Sequence, residues 1–207
     1  MKKDAFTIIE LILVIFLILL VSTYINLKQP INKLNLATNK LVLYLKQTRY
    51  QALIDDKYKK EDKLWHKKRW TLKFFRCSKS VGGIYYVIYS DENKKGHPSA
   101  DEALVDSLSK QKIYSTNRCK ENSNYSKYTL LTKQYEIVDV KISCNSTSSL
   151  GQISFGSDGK VYSKLSSIDE ESNEYEIKKS CIIKLIDKNQ KEKQIEINPK
   201  TSYIRAF

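Results

Sequence analysis

A chain of 207 residues, 41% of them hydrophobic, is long enough for one domain with a real core, and the absence of any internal repeat or low-complexity tract excludes repeat arrays. The formal net charge is +13. A surplus of that size favours polyanionic partners, nucleic acid or anionic lipid, although heavy use of lysine for solubility yields the same number.

The chain opens on a basic head, Lys2 and Lys3, followed by a long apolar run that holds a single ionisable residue, Glu10. From Phe6 to Ile25 a helix would rise roughly 30 Å, enough to cross a bilayer. The lysines would keep the head on the cytoplasmic side. A cleaved secretory signal needs small residues before its cleavage point, and Ser22-Thr23-Tyr24-Ile25 offers no clean version. A plain anchor leaves Glu10 unexplained, because a carboxylate in hydrocarbon costs on the order of a few kcal/mol. Nothing basic lies within helical reach of Glu10, so its partner is expected on another subunit or at a newly made terminus.

Ala5-Phe6-Thr7-Ile8-Ile9-Glu10 resembles the processing site of type IV pilins and pseudopilins. The resemblance implies cleavage between Ala5 and Phe6 by a prepilin peptidase, N-methylation of Phe6, and assembly through Glu10 and Thr7, with Glu10 meeting the N-terminal amine of a neighbouring subunit. Ala5 departs from the usual Gly. Removal of residues 1–5 takes away Lys2, Lys3 and Asp4 and leaves 34 basic against 22 acidic residues, a net +12.

Beyond the apolar run, Pro30 is the one helix breaker before residue 56, and a kink is expected there. Leu34, Ala37, Leu41, Leu45, Thr48 and Ala52 then recur at steps of three and four, one stripe of an amphipathic helix that needs a sheet to pack on. Residues 55–70 form a charged loop with embedded aromatics. Lys57, Lys59, Lys60, Lys63, Lys67, Lys68 and Arg69 crowd this stretch, interleaved with Tyr58, Trp65 and Trp70. Cations of this density hold phosphates, and exposed rings stack on single-stranded bases. The plainer reading turns Trp65 and Trp70 into the core, since indole is usually buried.

Strand character begins at Trp70. Trp70–Cys77 and Ile84–Ser90 flank Val81-Gly82-Gly83, a hairpin signal. Residues 91–100 are loop and 101–127 are ambiguous. Tyr128–Val140 and Lys141–Cys144 have the composition of strands. Gln152–Tyr162 reads as a hairpin around Asp158-Gly159. Ser166–Glu176 is an acidic loop, Cys181–Asp187 and Gln194–Asn198 are strands, and Thr201–Phe207 is a short last one. The end of the amphipathic helix, Ile153-Ser154-Phe155-Gly156-Ser157-Asp158-Gly159, and Gln194–Asn198 with Tyr203-Ile204-Arg205 resemble the GspH/FimT branch of minor pseudopilins.

Cys77, Cys119, Cys144 and Cys181 make an even set, which in an oxidising compartment forms disulfides. Three pairings are open; Cys77–Cys119 with Cys144–Cys181 joins segments near in sequence. No C-x-x-C spacing points to metal, and no nucleophile elbow, phosphate loop or metalloprotease helix points to catalysis. Asp55-Asp56 and Asp91-Glu92 read as surface charge. No catalytic residue, metal or cofactor is expected.

The expected architecture is α+β and pilin-like: a long N-terminal helix, membrane anchor plus amphipathic half, packed on an antiparallel β-sheet domain. Its parts are a leader (1–5), a transmembrane and assembly helix (6–25), an amphipathic helix (26–56) and a periplasmic β-rich domain (57–207). The resemblance implies a single-pass inner-membrane protein with a periplasmic C-terminal domain, a minor pseudopilin of a type II secretion or competence machine. Its partners would be other pilin or pseudopilin subunits, the prepilin peptidase and an inner-membrane assembly platform. The alternative is a DNA-binding minor pilin for natural transformation, with residues 57–69 as its DNA contact.

Overall fold

The computed structural model describes residues 7–26 and 32–207. The chain divides into two compact units, Met1–Asn32 and Lys33–Phe207. The first carries helix α1, Ile8–Asn26. Every side chain from Ile8 to Thr23 is exposed, Phe16 by 60% and Ile18 by 58%.

The second unit opens with helix α2, Lys33–Ile54, which buries Leu34, Ala37, Thr38, Leu41, Tyr44, Leu45, Thr48 and Ala52. All six positions of the periodic stripe are among them. Two buried threonines need partners and find them on the helix itself: the Thr38 hydroxyl donates to the Leu34 carbonyl at 2.8 Å and that of Thr48 to Tyr44 at 2.7 Å.

Two antiparallel sheets follow. The first has the order β2-β1-β4-β5, from β1 (Trp70–Arg76), β2 (Ile84–Tyr89), β4 (Gln152–Phe155) and β5 (Val161–Tyr162). The second has the order β3-β6-β7-β8, from β3 (Ile137–Ile142), β6 (Cys181–Asp187), β7 (Glu192–Ile197) and β8 (Ile204–Ala206). α2 touches strands of both sheets. One core therefore joins Leu41 and Leu45 to Leu72, Phe74 and Ile153 of the first sheet and to Ile183, Leu185 and Ile195 of the second. The β1–β2 turn holds Gly82 at φ +70° and Gly83 at φ +103°, left-handed backbone that L side chains rarely adopt. A Cβ on Gly83 would also lie 3.1 Å from Thr132 Cβ.

The expected architecture is corrected on two points. No single long N-terminal helix packs on a sheet: α1 and α2 belong to separate units, and α2 alone lies against two sheets rather than one. Pro30, where a kink was expected, lies outside the described residues. Nor is a single-pass inner-membrane anchor with a periplasmic domain supported, because among the described residues no helix is long and apolar enough to cross a membrane. Glu10 at one end of α1 and Ser22 and Thr23 near the other leave an unbroken apolar run of 11 residues, Leu11–Val21. Such a run rises about 17 Å against the roughly 30 Å of a hydrocarbon core.

Within the second unit, Tyr128–Val140 is not all strand. A short helix α3, Leu131–Tyr135, precedes β3 and buries Leu131 and Tyr135 four residues apart. Glu136 stops it in the left-handed conformation, φ 62°, with its N–H reaching the Leu131 and Thr132 carbonyls. The strand-favouring composition yields here to a helical turn that fills the core. The Thr132 hydroxyl accepts from the Ile84 N–H at 2.9 Å and so ties α3 to the edge strand β2.

All four cysteines are bonded, Cys77 to Cys119 (Cα–Cα 5.8 Å) and Cys144 to Cys181 (5.3 Å), across 42 and 37 residues of chain. In the chain-entropy account, loops of this length stabilise the fold by about 4 kcal/mol each, and measured values commonly run about 2–4 kcal/mol. Reduction is therefore expected to lower the urea midpoint well below that of the oxidised protein. The oxidised, unfolded protein should show no titratable thiol; four would overturn the assignment.

Candidate functional site

Three groups of residues were singled out by the sequence. Ala5 and Phe6, the cleavage and methylation positions, lie outside the described residues. Thr7 and Glu10 are described, and they form a reciprocal cap on α1. The Glu10 carboxylate accepts from the Thr7 backbone N–H at 2.9 Å and from its hydroxyl at 3.0 Å, and the Glu10 N–H donates to the Thr7 hydroxyl oxygen at 3.4 Å. Thr-x-x-Glu at a helix start is the capping-box pattern, which satisfies donors that the first turn leaves open. The bond from the Thr7 backbone, then that from its hydroxyl, hold the Glu10 carboxyl below its ordinary range. Glu10 thus has a partner on its own chain. Both bonds use Oε2, and Oε1 carries no hydrogen bond among the described residues.

The basic stretch is largely committed to the fold. Lys57 lies 2.7 Å from Asp55 and 2.8 Å from Glu92. Lys68 lies 2.9 Å from Asp62, which also pairs with Lys94. These two lysines hold the Asp62 carboxyl down at about 2. Lys63 is 3.8 Å from Glu170, and Lys67 donates to the Lys94 carbonyl at 3.2 Å. Arg69 is buried. Its guanidinium lies 3.8 Å from the Tyr162 ring centre and 4.8 Å from that of Trp65, and donates to the Ser172 carbonyl at 2.5 Å. Burial lowers the pKa of Arg69, and the more distant carboxylates of Asp158, Glu176 and Asp56 offset it only in part.

The aromatic residues of the stretch are also engaged. Trp70 is buried and donates its indole N–H to Asp55 at 2.8 Å; Trp65 is half-buried against Tyr58, edge to face at 5.3 Å. Of the seven basic residues, Lys59 and Lys60 alone are fully exposed and outside every ion pair among the described residues.

The paired acids are less solvated than their loop setting implied. Asp91 is buried, with its carboxylate accepting the Lys95 and Gly96 N–H groups at 3.1 and 2.7 Å. Asp55 is held by Lys57 and Trp70. Among the described residues no group of three or more His, Cys, Asp or Glu is arranged to hold a metal.

What the sequence reading missed is a cleft. Lys67 meets Lys73, Gln152, Lys164 and the hydroxyl-rich turn 146–149 around a cavity of about 480 Å³. These residues come from four separate segments, so no spacing along the chain announces them. Comparison with protein-family models, with curated proteins and with solved structures finds no match.

His66, within the basic stretch, supplies a pH-dependent element. It is fully buried, with Nε2 3.2 Å from the Ser166 carbonyl and Nδ1 without a hydrogen-bond partner among the described residues. A carbonyl only accepts, so Nε2 carries the hydrogen and Nδ1 is bare. Protonation would place a charged donor in a site with no acceptor, and burial accordingly lowers the His66 pKa. The unfolded chain binds a proton near the ordinary value of 6.5 while the folded one does not. Stability should therefore fall as pH drops through that value. A second loss should follow below the ordinary 3.8 of aspartate, as pH approaches the value of about 2 at which folded Asp62 titrates. Urea midpoints measured across pH should show both steps, and His66→Gln should flatten the first and leave the second.

Proposed function

We propose that this chain is a filament-assembly subunit of the pseudopilin kind, cut before Phe6, N-methylated there, and joined to like subunits through α1 in a type II secretion or competence machine. The observation that carries this reading is α1 itself, a helix apolar all round whose described side chains are all exposed. Such a helix is stable only when covered, since each Å² of apolar surface left in water forgoes about 25 cal/mol. Packing among parallel copies supplies that cover.

Glu10 fits the same reading in a particular way. Its Oε2 belongs to the capping box, and its Oε1, which carries no hydrogen bond among the described residues, would meet the terminal amine of a neighbour. Cleavage before Phe6 leaves the Thr7 N–H an ordinary amide, so the box survives processing. The two disulfides suit a domain that works in oxidising surroundings. The DNA-uptake reading draws less support, because most cations of residues 57–69 already have partners.

Processing is checked by mass: co-expression with a prepilin peptidase should yield a chain that begins at Phe6 and carries an added methyl group. A chain that still begins at Met1 would remove the basis for the reading. Assembly is checked by two substitutions. Glu10→Gln keeps the cap, because glutamine serves at that position, but removes the charge; it should be cleaved and yet fail to cross-link into filaments. Glu10→Ala should lose the cap as well and so further destabilise α1. Wild-type incorporation of Glu10→Gln would overturn the charge-pairing argument.

A further inference from the structure

The cleft missed by the sequence reading has a floor and three walls. The floor is the outer face of the first sheet, where Lys73 of β1 stands opposite Gln152 of β4, and Tyr89 of β2 stands opposite Thr71. One wall is the turn Ser146–Ser149, which directly follows the Cys144–Cys181 bond. Another is Lys164 and Leu165, just after β5. The third is the loop from Asp91 to Gly96.

Its charge is positive. Lys67, Lys73 and Lys164 line it, and none of them forms an ion pair among the described residues. Their ammonium groups rest instead on weak or neutral partners: Lys67 on the Lys94 carbonyl at 3.2 Å, Lys73 on the Gly96 carbonyl at 3.5 Å, Lys164 on the Tyr175 hydroxyl at 3.4 Å. Lys73 is half-buried, and its pKa is lowered by that burial. The single acid of the lining, Asp91, spends its carboxylate on the backbone N–H groups of Lys95 and Gly96. Three partly buried cations against one committed acid leave the cleft about two charges positive.

That balance defines a ligand chemistry. Lysine is a point-charge donor with no acceptor, suited to phosphate, and a phosphomonoester carries about −1.5 to −2 near neutral pH. No arginine lines the cleft to form the planar fork that grips a carboxylate. The hydroxyls of Ser146, Thr147, Ser148 and Ser149 and the Gln152 amide both donate and accept, as the hydroxyls of a sugar require. A volume of about 480 Å³ holds one small ligand, whereas a duplex needs an open track of cations rather than a concave site. We propose that this cleft binds a sugar phosphate, with the phosphate set among Lys67, Lys73 and Lys164 and the sugar against the 146–149 turn. The group would arrive either as a free monosaccharide phosphate or as the phosphorylated end of a nucleic-acid strand.

The test is calorimetric titration of the full chain, held in a mild detergent that covers α1. The probes are ribose 5-phosphate, ribose, and oligothymidine with a 5′-phosphate or a 5′-hydroxyl. Ribose 5-phosphate should bind one-to-one and saturably, and ribose should not bind. Lys164→Met and Lys73→Met keep the apolar stem, and each should weaken binding by about tenfold or more. Lys60→Met, on the exposed part of the basic stretch, should change nothing. Lys67→Met at the rim supplies the same test if Lys73→Met fails to fold. Preference for the 5′-phosphorylated strand over free ribose 5-phosphate would assign the source to strand ends; the reverse would assign it to a free sugar phosphate. No binding of ribose 5-phosphate at about 10 mM, equal weakening in Lys60→Met, or equal binding of both oligonucleotides without any response to ribose 5-phosphate would each overturn the proposal.

Discussion

The buried face of α2 is the constraint on which the second unit depends. Neither four-stranded sheet closes on itself, and each must cover an apolar face. The stripe from Leu34 to Ala52 covers both, with Leu41 and Leu45 fully enclosed between them. Tyr44 on the same face reaches further: its hydroxyl donates to Asp106 at 2.7 Å and lies 3.3 Å from Ser126. Burial and the nearby Asp106 carboxylate raise the Tyr44 pKa, so this phenol remains a donor across the ordinary pH range. One helix thus sets the spacing of two sheets and fastens the long excursion between β2 and β3.

That excursion explains why the first sheet has a second apolar layer. Inward residues of β1 and β2, such as Leu72 and Ile88, face α2. Outward ones, Tyr85, Val87 and Tyr89, pack beneath Leu130 and Cys119, whose disulfide to Cys77 holds the excursion down. The cover stops short of Lys73 and Gln152, and the polar cleft begins where the apolar layer ends. A sheet buried on both faces for part of its width, and on one face for the rest, supplies the floor of a concavity that the neighbouring turn 146–149 and loop 91–96 wall in.

Electrostatics follow from the same arrangement. A net +13 would repel itself if its cations were left free, and ion pairs with residues distant in sequence relieve this at several points. Glu136, at the end of α3, pairs with Lys33 of α2 and with Lys188 after β6, which hold its carboxyl down at about 2. Glu92 and Asp62 perform the same service for Lys57, Lys68 and Lys94. Exposed pairs of this kind add little stability one by one, but they decide which cations remain open to a ligand.

The sequence alone determined whatever is periodic or local. The six-residue stripe of α2 and the glycine turns at 82–83 and 158–159 follow from spacing and from backbone freedom within a few residues. Strands β1, β2 and β6 likewise follow from runs of β-branched and aromatic residues. The Thr-x-x-Glu cap on α1 was equally local, yet a reading that sought a charged partner for Glu10 passed over the neutral one three residues away. Tertiary structure alone decided the rest. The turn of helix at Leu131–Tyr135 forms because two side chains four apart fill a core that the chain closes from elsewhere. The basic stretch 57–69 gives up part of its free charge to Asp55 and Asp62, which are local, and part to Glu92 and Glu170, which the sequence places far from it. The cleft gathers Lys67, Lys73, Gln152 and Lys164 from segments that only sheet pairing and a disulfide bring together, because side-chain proximity across strands is set by register and not by distance along the chain.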